Sequence, residues 1–254
     1  MLLEPTPSPF DLRWRMFGIP VRVHPTFWMF SAILGWGYES KGFSYLALWV
    51  GCTFLSVLFH ELGHVVAGRL CGQPGHIVLY SFGGLAIGNY HHVGPWRRIA
   101  ISAAGPAAGL ILYGLVLLFA HNALWQIDPT LNMPHLHWGV RMLLFMNLFW
   151  SLLNLIPVFP LDGGQISRDV CTLFSRRDGF RFSLGLSFLL AGVIAIYSLI
   201  VMSRTRGEPG ELWYPDFDPM FMAIMFALLA LQSFQMMKAV EREQRRWEND
   251  QDPW

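Results

Sequence analysis

Long apolar runs separated by short polar breaks dominate the chain. A helix needs about 20 mostly apolar residues to cross the hydrocarbon of a bilayer. Six stretches approach that pattern, at about 25–38, 45–70, 98–120, 138–158, 182–203 and 219–238. The first is short, which suits a tilted or partly interfacial segment. The fourth ends at "IPVFPLDGG", where two prolines stop the helix. Between the second and third runs lies "HIVLYSFGGLAIGNYHH", residues 76–92, with a β-like apolar run on each side of Gly83-Gly84. That pattern predicts a short hairpin or re-entrant strand pair. The fold expected is therefore all-α and polytopic, with about six transmembrane helices and one short β segment between the second and third. A single membrane-embedded domain is expected over 1–254, because the loops leave no room for a soluble one. The tail 239–254 reads as a charged helix extension or a disordered end.

Composition supports this reading. The chain is 54% hydrophobic and 14% charged, against about 25% charged in a soluble domain. Eleven tryptophans and twenty phenylalanines suit aromatic belts at the two membrane surfaces. The net charge of +1 offers no basic stripe for phosphates, so no nucleic-acid partner is expected. Cys52, Cys71 and Cys171 show neither a disulfide framework nor zinc-finger spacing and read as small apolar residues. With six spans, fourteen of the 18 lysines and arginines fall on the side of the N-terminus. The other four are Lys41, Arg141, Arg204 and Arg206. By the positive-inside bias both termini are then cytoplasmic.

Against this apolar background "VLFHELGHVVAG", residues 57–68, stands out. Ionisable groups within a span are costly and mark function. His60 and His64 are one helical turn apart on one face, where two imidazoles can bind one zinc ion. Glu61 lies beside them, able to take a proton from the water that the ion activates. A catalytic zinc keeps three protein ligands and one open position, so a third ligand is needed. The second span runs inward and ends near Arg69, which puts the pair towards the cytoplasmic side. The fourth span also runs inward, and Asp162 follows its end, with Gly163-Gly164 allowing a tight turn. His121, His135 and His137 fall on the other side. His76, His91 and His92 lie in the loop, and His24 opens the first span. In the third span "SAAGPAAG", residues 102–109, lets the second or fourth helix approach closely through Gly105 and Gly109. Asn147 reads as an interhelical hydrogen-bonding residue.

Together "HELGH" at 60–64, "SFGGLA" at 81–86, "SAAGPAAG" at 102–109 and "NLIPVFPLDGG" at 154–164 resemble the site-2 proteases, the intramembrane zinc metalloproteases. The resemblance covers roughly residues 50–170 within a catalytic core of about 45–170. It is to a compact form, without an inserted peptide-binding module or a nucleotide-sensing pair. It implies that His60, His64 and Asp162 hold one zinc ion and that Glu61 is the general base. Asn154 would sit near the metal and stabilise the developing oxyanion. It further implies hydrolysis of peptide bonds in or near the transmembrane segments of membrane proteins, single-span ones above all. The edge of the hairpin, at Gly83 and Gly84, would hold the substrate as an added strand. Two readings compete with it, a membrane metal transporter or sensor and an inactive relative that binds transmembrane helices.

Overall fold

A computed structural model describes residues 4–81, 83–88, 93–124, 133–205 and 219–251. His91 and His92, the last residues of the expected hairpin region and the end of the tail lie outside them. The chain forms two compact units, Met1–Leu153 and Asn154–Trp254.

The first unit opens with a hairpin of β1 (Leu12–Met16) and β2 (Ile19–Val23). Then come α1 (Pro25–Leu34), a 3-10 turn (Trp36–Lys41) and α2 (Phe43–Leu70). Strands β3 (Gly75–Tyr80) and β4 (Gly83–Gly88) lead into α3 (Pro95–Phe119), which ends in a π turn at Ala120–Leu124. Helix α4 (Pro134–Leu155) closes the unit. His24 caps α1, its Nδ1 accepting from the Thr26 N–H at 3.3 Å, and Pro25 follows where no helical donor is needed. Helix α4 stops before Pro157, as the proline string requires.

The strands form one sheet in the order β1-β2-β3-β4. Strands β2 and β3 are parallel and need a crossover. The chain supplies it through α1 and α2, and this folds the inner half of α2 back onto the sheet. Ile19, Val21, Val23, Ile77 and Leu79 point to that face and pack with Phe27, Val57, Leu58 and Val65. The expected β3–β4 hairpin is present, with Tyr80 paired to Gly83. Gly83-Gly84 opens β4 rather than making the turn. The β1–β2 hairpin was not anticipated, although "LRWRM" alternates apolar and polar residues ahead of Phe17-Gly18.

The other face of the sheet carries Arg13 directly opposite Arg22. Like charges in that register repel. Asp11 relieves the pair, accepting from Arg22 at 3.1 Å and from Arg13 at 3.3 Å. Arg22 also donates to Glu4 at 2.6 Å and to the Pro5 carbonyl at 3.0 Å. One guanidinium thus pins the N-terminal segment across the strands. Burial alone would raise the pKa of Asp11. The Ser8 N–H and the two arginines outweigh it and hold the carboxyl below its usual 3.8. A carboxyl with a lowered folded pKa stabilises the folded form above its unfolded value, and that contribution is lost as pH falls through the folded value. Intrinsically corrected amide exchange over residues 4–11 should therefore stay flat from about pH 8 to 5 and rise only in more acid solution. Asp11→Asn should abolish that acid rise. An unchanged profile in the variant would show that Asp11 does not control the segment.

The second unit holds α5 (Asp162–Phe174), α6 (Gly179–Thr205) and α7 (Pro219–Gln251). Helix α7 carries the charged tail onward as a helix. There Glu241 pairs with Lys238 at 3.2 Å, Arg245 at 2.9 Å and Arg181 of α6 at 3.3 Å.

Five helices are long and apolar enough to cross a membrane: Phe43–Leu70, Pro95–Asn122, Pro134–Leu155, Gly179–Arg204 and Pro219–Arg246. The chain is a multi-pass membrane protein. The first expected span is a helix of 10 residues, about 15 Å long and too short to cross alone.

Candidate metal centre

The geometry of the site begins with glycines. Helices α2 and α3 lie so close that a Cβ on Gly63 would overlap the Ala104 carbonyl. Gly105 leaves room for the His64 ring, and Gly109 leaves room for Ser151 of α4. The small-residue row on α3, expected to face the second or the fourth span, thus serves both. Asn147 bridges α4 to α2, its Nδ2 donating to Ser56 Oγ at 3.0 Å.

His64 lies against α3 in one orientation. Its Nδ1 meets the Ile101 carbonyl at 2.7 Å. A carbonyl can only accept, so Nδ1 carries the proton and Nε2 presents a lone pair. That Nε2 faces His60 Nε2 at 3.2 Å, the two rings crossing at 79°. Two nitrogens each about 2.0–2.1 Å from a tetrahedral zinc ion stand about 3.3 Å apart. The separation therefore fits a shared zinc ion, with the Ile101 carbonyl as the outer partner that such histidines require.

Glu61 is buried beside them, 5% exposed. The backbone of β4 runs against it, and a Cβ on Gly84 would overlap its carboxylate. Gly83 adopts φ 113°, and a Cβ there would come within 2.7 Å of the Trp150 ring. Trp150 in turn stands edge-on to His60 at 6.5 Å. The two glycines thus admit β4 to the His60–His64 turn of α2. Burial, followed by the Glu61 charge, pushes the Tyr80 phenol up to about 12, so its hydroxyl stays neutral. Sequence reasoning missed Trp150 and Tyr80. The β4 strand is the outer strand of the sheet.

In the second unit Asp162 is the first residue of α5 and is buried. The N-terminus of a helix favours a carboxylate. Gly163 and Gly164 pack on the Leu155, Val158 and Phe159 backbone, where any Cβ would overlap main chain. The tight turn expected at Gly163-Gly164 is absent: both residues are helical in α5, and close packing against main chain is what requires glycine there. Ser187 of α6 accepts from the Phe159 N–H at 3.1 Å, and Ser233 of α7 donates to the Phe159 carbonyl at 3.5 Å. The two last helices thus hold the loop that presents Asp162. Neither serine carries a sequence signal beyond its being polar in an apolar run. Asn154 is buried in the last turn of α4.

The candidate ligands His60 and His64, in the first unit, and Asp162, in the second, are all buried. The remaining described histidines stand elsewhere. His76 lies 3.7 Å from Glu4. His135 stacks on Tyr45 at 4.6 Å, fifteen positions before His60 and so about 22 Å along α2. His137 bonds within its own helix, to Met133.

No family model matches the chain. Among curated proteins it is 32% identical over 168 residues to a Synechocystis sp. protein named as a zinc metalloprotease, covering 61% of this chain and 42% of that one. It is 29% identical over 196 residues to a zinc metalloprotease of Methanocaldococcus jannaschii, covering 75% and 54%. Stage IV sporulation protein FB of Bacillus subtilis is 28% identical over 171 residues, covering 66% and 52%. The chain spans about half the length of these relatives. Its fold matches a solved site-2 protease from Methanocaldococcus jannaschii with a TM-score of 0.57 and 23% identity, over 89% of this chain and 94% of that one.

Proposed function

We propose that this chain, which takes the site-2 protease fold and is kin to zinc metalloproteases, is a zinc-dependent endopeptidase acting in or near the transmembrane segments of other membrane proteins. The observation that carries the proposal is the buried His60–Glu61–His64 turn, with two imidazole nitrogens at a separation that suits zinc. His60, His64 and Asp162 would hold the ion. When bound there it would supply Lewis acidity for the scissile carbonyl and for a water near neutrality.

The chain's own groups do the rest. Glu61 takes the proton from the attacking water and returns it to the leaving amine. The Asn154 amide donates to the oxygen on which charge develops. A transmembrane helix has its carbonyls bonded internally and must unwind before attack. The unwound segment then adds as a strand along the outer edge of β4. With no side chains at Gly83 and Gly84, its backbone comes close to Glu61. Substrates are single-span membrane proteins, and the whole chain acts as one membrane-embedded domain. The arginine distribution supports a site towards the cytoplasm, at the end of α2 that carries Arg69.

The test compares membranes from cells making the wild-type chain and Glu61→Gln. Membrane stubs of single-span proteins should accumulate only in the variant. No such stub in any condition, with both chains present in the membrane at equal levels, would remove the proposal. A finer expectation follows from β4. Gly84→Ala should push the Glu61 carboxylate aside and lower kcat by about 100-fold. Its zinc content, read by metal analysis, should equal wild type. Loss of the metal together with the rate would mean that Gly84 supports the ligands rather than the base.

A further inference from the structure

The turn between β1 and β2 is unusual for what it exposes. Phe17 adopts φ 50° and Gly18 φ 72°, the paired left-handed geometry that hairpins reserve for Asn, Asp or Gly. The phenylalanine there is 82% exposed. Arg69, in the last turn of α2, holds the turn by donating to the Phe17 carbonyl at 3.1 Å and the Gly18 carbonyl at 2.8 Å. A strained position that carries an exposed aromatic and is clamped from another element points to a use for that side chain.

The level at which it sits identifies the use. Helices α2 and α3 are antiparallel neighbours, Gly63 lying against Ala104. Leu70 is seven positions beyond Gly63, about 11 Å, and Trp96 is eight before Ala104, about 12 Å. The two therefore share one level, and both are exposed, at 85% and 72%. The turn clamped by Arg69 joins them. Helix α2 has 28 residues, so at about 42 Å it exceeds the roughly 30 Å hydrocarbon and reaches the headgroups. Arg15, Arg69 and Arg97, all exposed, lie within two positions of Phe17, Leu70 and Trp96 in the chain. Aromatic and aliphatic groups with arginines beside them match the boundary between acyl chains and anionic headgroups.

We propose that the β1–β2 turn is an interfacial lipid anchor, with Phe17 inserted at the bilayer boundary where α2 ends, level with Leu70 and Trp96. The anchor fixes the depth of the sheet, and so of β4, relative to the spans. The boundary then passes six positions beyond His64, about 9 Å along α2. The partner is the lipid surface itself, continuous with the one that α2 and α3 already cross.

The native chain tests this without substitution. It is reconstituted in vesicles of phosphatidylcholine and phosphatidylglycerol carrying a photoactivatable diazirine near the acyl carbonyl. After irradiation and trypsin digestion, lipid adducts are mapped. The fragment Met16–Arg22 should carry about tenfold more adduct than residues 1–13, which hold the equally exposed Phe10 at the far end of β1. The fragment 70–97, with Leu70 and Trp96, should be labelled as well. Labelling of 70–97 without Met16–Arg22 would overturn the anchor. So would equal labelling of Met16–Arg22 and residues 1–13. Absence of label from 70–97 would overturn the boundary itself.

Discussion

Purified Glu61→Gln protein will bind zinc as the wild type does and cleave its substrate about 100- to 10,000-fold more slowly, the range a positioned general base contributes. The two halves of that expectation rest on separate observations. The facing imidazoles are oriented by the Ile101 carbonyl and by α3, and Glu61 takes no part in that. Glutamine has the same shape and keeps the packing against Gly84. Only the ability to accept a proton is removed. The measurement pairs single-turnover cleavage of a stub substrate in vesicles with metal analysis of the same preparation. A rate within tenfold of wild type would take the base away from Glu61. A transporter or a binder that does not cut would keep its function in this variant, so the same protein separates the competing readings.

The second large effect is expected from a methyl group. Gly105→Ala should lower zinc affinity by about 10- to 100-fold, the cost of disturbing the partner that orients a ligand. The added Cβ would overlap the His64 ring, which lies directly on Gly105. The ring must move, and it then loses the Ile101 carbonyl, its facing geometry with His60, or both. Alanine is the better helix former, so the loss would not come from α3 itself. Gly114 provides the control, because nothing lies within 4 Å of a Cβ built there. Gly114→Ala should bind zinc like wild type. Competition with a chelator of known affinity reads both variants. Equal affinities for Gly105→Ala and wild type would show that His64 relaxes without cost.

Much of the site was legible because its constraints are local. Four residues separate His60 from His64, and that spacing alone sets two imidazoles on one face of any helix. The apolar surroundings made three ionisable groups conspicuous. Pro157 and Pro160 marked where α4 ends; the Gly163-Gly164 pair, read as a turn, instead lies inside the first turn of α5. The β3–β4 hairpin was visible as two apolar runs, but the role of its glycines was not. Gly83-Gly84 resembles a turn in sequence, yet the pair is needed because Trp150 and Glu61 occupy the space where side chains would stand. That constraint comes from residues more than twenty positions away. The β1–β2 hairpin was overlooked because Phe17 stands where a hairpin turn ordinarily has Asn, Asp or Gly.

The sequence by itself therefore determined the class of this protein: apolar spans, a helix that carries His60, Glu61 and His64, and a carboxylate after a proline-broken helix. These follow from hydropathy, helical periodicity and the special backbone properties of proline and glycine, all of which act over a few residues. Only the tertiary structure decided which nitrogen of His64 faces His60, that α2 serves as the crossover of a four-stranded sheet, and that β4 lies against Glu61. Such facts depend on the shape left between elements distant in sequence, and close packing rather than local propensity sets that shape.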